Sequence, residues 1–234
     1  MDYLFGATAS RRGLLKTALI AGSVAVIPGC ARKAAEVSGI DSPPPPVATP
    51  IPQPEPVVAV RTAPLGVRPH LFRRALAALD AHGRAVEHHD RIAIADFAAA
   101  SSEPRFHLID LIDGSSTSML VAHGSGSDPR HTGWLQRFSN IPDSNATSEG
   151  AYLTSNYYVG KHGRSQRLIG LDPTNNNALD RAIVVHGAWY SNQQTLQRLG
   201  KLGRSQGCFA VGESNLQAVF DVLGEGRMIY AAKV

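Results

Sequence analysis

The chemistry of this chain turns on two residues, Cys208 and His186. Cys208 sits in RSQGCFAVG (204–212), where small and polar residues, Ser205, Gln206 and Gly207, lead into the thiol. A free thiol titrates near 8.5, about 1.5 units above neutrality, so a nucleophilic cysteine needs a base beside it. The usual base is an imidazole, which draws the pair toward thiolate and imidazolium. Of nine histidines, His186 is the best placed: it closes the β-branched run of RAIVVHGAWY, with Gly187 after it to let a substrate approach the backbone. Attack on an amide carbonyl creates an oxyanion, which preorganised backbone N–H groups stabilise. The small residues around Gly207 leave the N–H groups of Gly207 and Cys208 free to converge, so Ser205, Gln206 and Gly207 form the expected oxyanion loop. A buried, inert cysteine is the competing reading from these residues alone.

Other chemistries fit less well. His162, His186 and Cys208 provide no short ligand pair, so no metal is expected. A tyrosine-phosphatase loop would carry arginine where Ser214 stands, and papain-like enzymes place the cysteine before the histidine. GSGSDPRHTG lacks the strand, glycine-rich loop and helix that cradle phosphates, so no organic cofactor is expected. The net charge of +4 is mild and forms no Lys/Arg stripe with interleaved aromatics, which argues against nucleic acid as a partner.

These residues must be held by a scaffold, and its pattern is mainly β. At 43% hydrophobic and 18% charged the chain is globular in composition. RPHLFRRALAALDAHGRAV places Leu71, Ala75, Leu76 and Leu79 at helical spacing, with Gly83 as a stop. DRIAIADFAAAS reads as a helical turn or a strand. Runs through Phe106 and Leu108, then Met119 and Val121, flank Asp113-Gly114 and predict a hairpin. EGAYLTSNYYVG, RSQRLIGL, RAIVVHGAW and GRMIYAAKV predict further strands, and SNQQTLQRLG and ESNLQAVFDVLG predict helices. Trp189 and Tyr190 are expected to pack in the core. Many short strands with few helices predict a β-sandwich or barrel over residues 66–234, with a short helical portion at its start.

The N-terminus sets the compartment. Arg11-Arg12 inside SRRGLLK, followed by the apolar run Thr17–Ile27, is laid out as a twin-arginine-type signal segment over residues 1–30. VIPGC ends in Cys30 like a lipobox, with Pro28 in a slot that usually holds a small residue. Cleavage and lipidation at Cys30, the latter giving membrane attachment, are both open. Either leaves Cys208 without a disulfide partner in an oxidising compartment. Residues 31–65, with four consecutive prolines and more beyond, form an extended spacer of about 3.1 Å per residue. Export to the periplasm or cell envelope follows.

Taken together, VAHGSGS, FSNIP, GAYLTSNYYVGKHGRSQRLIGLD, RAIVVHGAWY and LGRSQGCFAV resemble the catalytic domain of murein L,D-transpeptidases, in a divergent branch of that family. The resemblance covers roughly residues 100–232. It implies a mostly β catalytic domain, Cys208 as nucleophile, His186 as base, and peptidoglycan stem peptides as substrate. Gly187, His123 and His162 belong to the resembling motifs and are expected to line the cleft. The better-known branch carries a substrate-holding arginine where Ala210 stands; Arg204 and Arg164 are the candidates to replace it. The implied activity is L,D-transpeptidation through a Cys208 thioester. Hydrolysis of that thioester by an L,D-carboxypeptidase, or tethered wall binding without catalysis, are the alternatives.

Overall fold

The computed structural model describes residues 62–234, so the expectations for residues 1–30 and for nearly all of the 31–65 spacer lie outside the described residues. Helix α1 (Pro69–Ala81) opens on proline, whose missing N–H is no loss in a first turn. It buries Leu71, Phe72, Ala75 and Leu79, and it ends at His82, just ahead of the expected Gly83 stop. DRIAIAD resolves as strand β1 (Arg91–Asp96). Its near-continuous burial has a simple cause: both faces are covered. Ile92 and Ile94 pack against the α1 side, while Ala93 and Ala95 enter the larger core on the other face.

The remaining strands are β2 (Phe106–Asp110), β3 (Ser116–Met119), β4 (Val121–Ala122), β5 (Gly150–Gly160), β6 (Gly163–Gly170), β7 (Val184–Gly187), β8 (Phe209–Val211) and β9 (Met228–Ala232). Helices α2 (Gln193–Leu199) and α3 (Leu216–Leu223) fall on the two predicted helical stretches. The strands form one nine-stranded mixed sheet in the order β3-β2-β1-β9-β5-β6-β7-β8-β4. Only Leu120 separates β3 from β4, so one short run of chain pairs with β2 at one end of the sheet and with β8 at the other. The sheet therefore curls round to a barrel-like closure. The fold is mainly β with three short helices, as the alternation predicts.

Two consequences bear on the site. The β5–β6 hairpin turns at Lys161-His162, and Gly163 supplies the left-handed φ of 73° that a type I turn with a bulge requires. Phe209, the residue after Cys208, is fully buried, with its ring 5.3 Å from Tyr152, 6.1 Å from Phe97 and 6.3 Å from Phe106. Removing such a ring costs about 3–5 kcal/mol, so the thiol is carried by one of the best-anchored positions of the core.

Candidate active site

The SQGC turn is built by its own side chains. Ser205 joins the β4 exit: its N–H donates to the His123 carbonyl at 3.0 Å, and its carbonyl accepts from the Ser125 N–H at 2.8 Å. Its hydroxyl donates to the Cys208 carbonyl at 2.7 Å and accepts from the Gly207 N–H at 3.1 Å. The Gly207 N–H, expected to face an oxyanion, thus donates inside the turn in this structure. Gly207 is required for another reason. At φ 114° a Cβ would lie 2.6 Å from Ile183 Cδ1 and 2.7 Å from the Ala146 carbonyl oxygen.

Register brings Cys208 to His186. Strands β7 and β8 are parallel, with Val185 opposite Phe209 and His186 opposite Ala210. Extending that pairing by one residue sets Cys208 beside Val184, one pleat below His186 on the same face. The thiol donates to the Ala182 carbonyl at 3.5 Å, and the backbone N–H of Val184 also lies toward the sulfur. Ala182 itself is held at φ 52°, a left-handed conformation uncommon for a non-glycine residue.

The imidazole of His186 is oriented by a carbonyl. Nδ1 lies 2.9 Å from the Gly187 carbonyl oxygen, which can only accept, so Nδ1 carries the proton and Nε2 keeps its lone pair. His162, from the β5–β6 turn, stacks on this ring with centroids 4.2 Å apart and planes 18° apart. Burial pushes the His186 pKa below its ordinary value, against the Gly187 carbonyl that favours the charged form. Burial likewise pushes the Cys208 thiol up, against the Val184 N–H and the charges of Lys161 and Arg181. Both shifts favour the neutral forms. Both run against the thiolate–imidazolium pair expected from sequence.

Cys208, His186, His162, Arg204, Ser205 and Gln206 all line one cleft of about 280 Å³. Tyr158, Lys161, Arg181 and Tyr190 complete its polar wall, and no Asp or Glu lines it among the described residues. Arg204 is tied to the carbonyls of Asp128 and Pro129 through Nη1. Arg181 and Lys161 are cleft residues that sequence reading missed. Arg181 is fastened to the Ser139 carbonyl at 2.8 Å and to the Ser144 hydroxyl at 3.1 Å, and nothing but a charge before β7 signals it.

Other expected residues lie elsewhere. Arg164 lies over the Tyr157 and Phe220 rings at 4.7 and 5.1 Å and donates to Gln217, outside the cleft lining. Gly187 turns its α-carbon toward Glu213 and contributes its carbonyl alone. His123 is not on the cleft. It is 1% exposed behind the Ser205 turn, where Nδ1 accepts from the fully buried Arg105 at 2.8 Å and Nε2 faces Asp128 at 3.5 Å. Burial and the Arg105 charge press its pKa down to about 3. Trp189, expected in the core, is 62% exposed.

The family described as L,D-transpeptidase catalytic domain matches residues 65–232. Among solved structures, an L,D-transpeptidase from Mycobacterium smegmatis is similar at 14% identity and a TM-score of 0.38, over 61% of this chain and 58% of that one. L,D-transpeptidase 3 from Mycobacterium tuberculosis is similar at 14% identity and a TM-score of 0.39, over 62% of this chain and 61% of that one. The chain thus spans less than two thirds of the length of these structures. No curated protein sequence matches it.

Proposed function

The chain belongs to the L,D-transpeptidase catalytic domain family, and we propose that it is a cysteine-dependent acyltransferase acting on peptidoglycan stem peptides. The observation that carries this reading is the parallel β7/β8 register, which stations an oriented imidazole one pleat above a thiol in a single cleft. As Cys208 Sγ attacks the carbonyl that joins the third stem residue to the terminal D-alanine, its proton passes to His186 Nε2. The Val184 N–H supports the sulfur before attack. With the Gly207 N–H held by Ser205, the Cys208 N–H is the turn amide at the attack point.

Collapse of the tetrahedral adduct breaks the C–N bond. His186 returns the proton to the departing amine, D-alanine leaves, and a thioester remains on Cys208. An acceptor amine then attacks the thioester, gives its proton to His186 and releases the thiolate, which is reprotonated. Lys161, Arg181 and Arg204, with no opposing carboxylate on the wall, suit a donor that ends in a carboxylate. The twin-arginine-type segment and Cys30 accord with delivery to the envelope.

Mass spectrometry of the purified protein with a disaccharide-tetrapeptide, beside Cys208→Ala, tests the reading. The expected product is a cross-linked dimer lacking one D-alanine, formed only with the intact thiol. Tripeptide alone would make the enzyme an L,D-carboxypeptidase. Unchanged substrate in both samples would overturn the tetrapeptide donor.

A further inference from the structure

A second groove, of about 610 Å³, runs between β3 and the Ser191–Gln194 segment, and its volume falls in the range of ligand sites. Its chemistry differs from that of the cleft. Thr117, Gln193 and Gln194 give it hydroxyl and amide groups, and Glu213 is the one ionisable side chain lining it. That carboxylate is already engaged by the Asn192 amide at 2.9 Å. Ser191, which lines the groove, is 1% exposed, yet its hydroxyl has no partner in the protein. A buried hydroxyl left unpaired is a standing penalty that a ligand's polar group would relieve.

The groove does not stand alone. Asn192 and Gln194 are shared with a shallower depression that Trp189 lines. The indole of Trp189 is 62% exposed and meets the Tyr190 ring edge-on at 5.8 Å, and Tyr190 is part of the cleft wall. An exposed indole, neutral amides and hydroxyls, and one orphaned buried hydroxyl together make a surface for a ring with an apolar face and a polar rim. That is the chemistry of a sugar: C–H bonds against the aromatic, hydroxyl and acetamido groups toward the amides. Among the described residues Arg198 is the one cation on the Trp189 depression, and Pro104, Met119, Leu120 and Ala218 line the groove among its polar groups.

We propose that this groove binds a neutral, N-acetylated saccharide chain and lays it beside the catalytic cleft. The assignment deepens the acyltransferase reading and rests on it for the occupant: the glycan strand that carries the stem peptides.

The test is titration of the full protein with chitotetraose, a peptide-free N-acetylglucosamine chain, followed by calorimetry. Saturable binding is expected. Trp189→Ala should weaken it by about tenfold or more. Ser191→Ala should weaken it too, while leaving the melting temperature unchanged or raised, because the hydroxyl it removes has no partner in the free protein. Turnover of a sugar-free tetrapeptide should be the same in both variants as in the parent. Loss of acyl transfer with chitotetraose binding intact would overturn the enzyme reading alone. No binding of chitotetraose, equal binding by both variants, or displacement of the sugar by free stem peptide would overturn the saccharide site.

Discussion

His123 and His186 are each 1% exposed, and each sits at the end of a short strand near the SQGC turn. Their surroundings nevertheless differ at every ring nitrogen. His123 has Arg105 against Nδ1 and Asp128 against Nε2, so both nitrogens face charged neighbours inside the fold. His186 has one nitrogen fixed by the Gly187 carbonyl and one directed to a cleft that holds a thiol. Burial alone therefore does not distinguish a base from a brace. What distinguishes them is where the second nitrogen lies: His123 Nε2 is sealed inside the fold 3.5 Å from Asp128 without making a hydrogen bond, whereas His186 lines the cleft. Asp128 in turn accepts from the N–H groups of Thr132 and Gly133 at 2.8 Å each.

Replacing each histidine with glutamine should separate the two roles. His186→Gln should lower kcat/KM by about 10²–10⁴-fold, with the melting temperature nearly unchanged. His123→Gln should do the reverse, destabilising the fold by about 2–4 kcal/mol while the folded fraction keeps its activity within roughly an order of magnitude. Equal losses of activity in the two, at equal stability, would erase the distinction.

Acid should sharpen it next. The unfolded chain protonates His123 near 6.5, whereas the folded one resists until about 3. The unfolded state thus binds the extra proton first. Stability from this residue is whole above 6.5 and is lost as pH falls toward 3. Denaturant melts across that window should show the slope, and His123→Gln should flatten it. Activity answers to the other ring: the acid limb of kcat/KM should lie below the ordinary histidine value, since the His186 pKa is depressed by burial. Thiolate absorbance should be missing at neutral pH, because burial raises the Cys208 pKa. A strong thiolate band at neutrality would restore the ion pair.

The smallest expected effect belongs to the stacked ring. His162→Ala removes a neighbour that helps to depress the His186 pKa. The acid limb should move up toward the ordinary value, with kcat falling by less than about tenfold. A loss matching that of His186→Gln would make His162 part of the proton path.

Much of this scaffold is written locally. β-branched and aromatic runs mark β5, β6 and β7, and helical spacing marks α1 and α3, with Gly224 ending α3, because each obeys a local signal. The SxGC turn is legible too, since Ser205 and Gly207 act within the turn they form. What escaped the sequence is non-local. The parallel β7/β8 pairing, the closure through Leu120, and the arrival of Arg181 at the cleft depend on segments far apart in the chain. His123 misled for a related reason: its glycine-rich motif looks like a cleft loop, and only Arg105 and Asp128, which the fold brings to it, show that it is filled.

The placement of Cys208 at the mouth of β8 has a consequence for stereochemistry. Strand β8 is flanked by β7 and β4, and β7 by β6 and β8, so neither offers an open edge. A donor peptide cannot dock here by adding itself as another strand, the mode that favours an all-L backbone. On the proposed acyltransferase reading, recognition would fall to side chains and terminal charge, so a donor of alternating handedness would meet no strand-pairing penalty at the thiol.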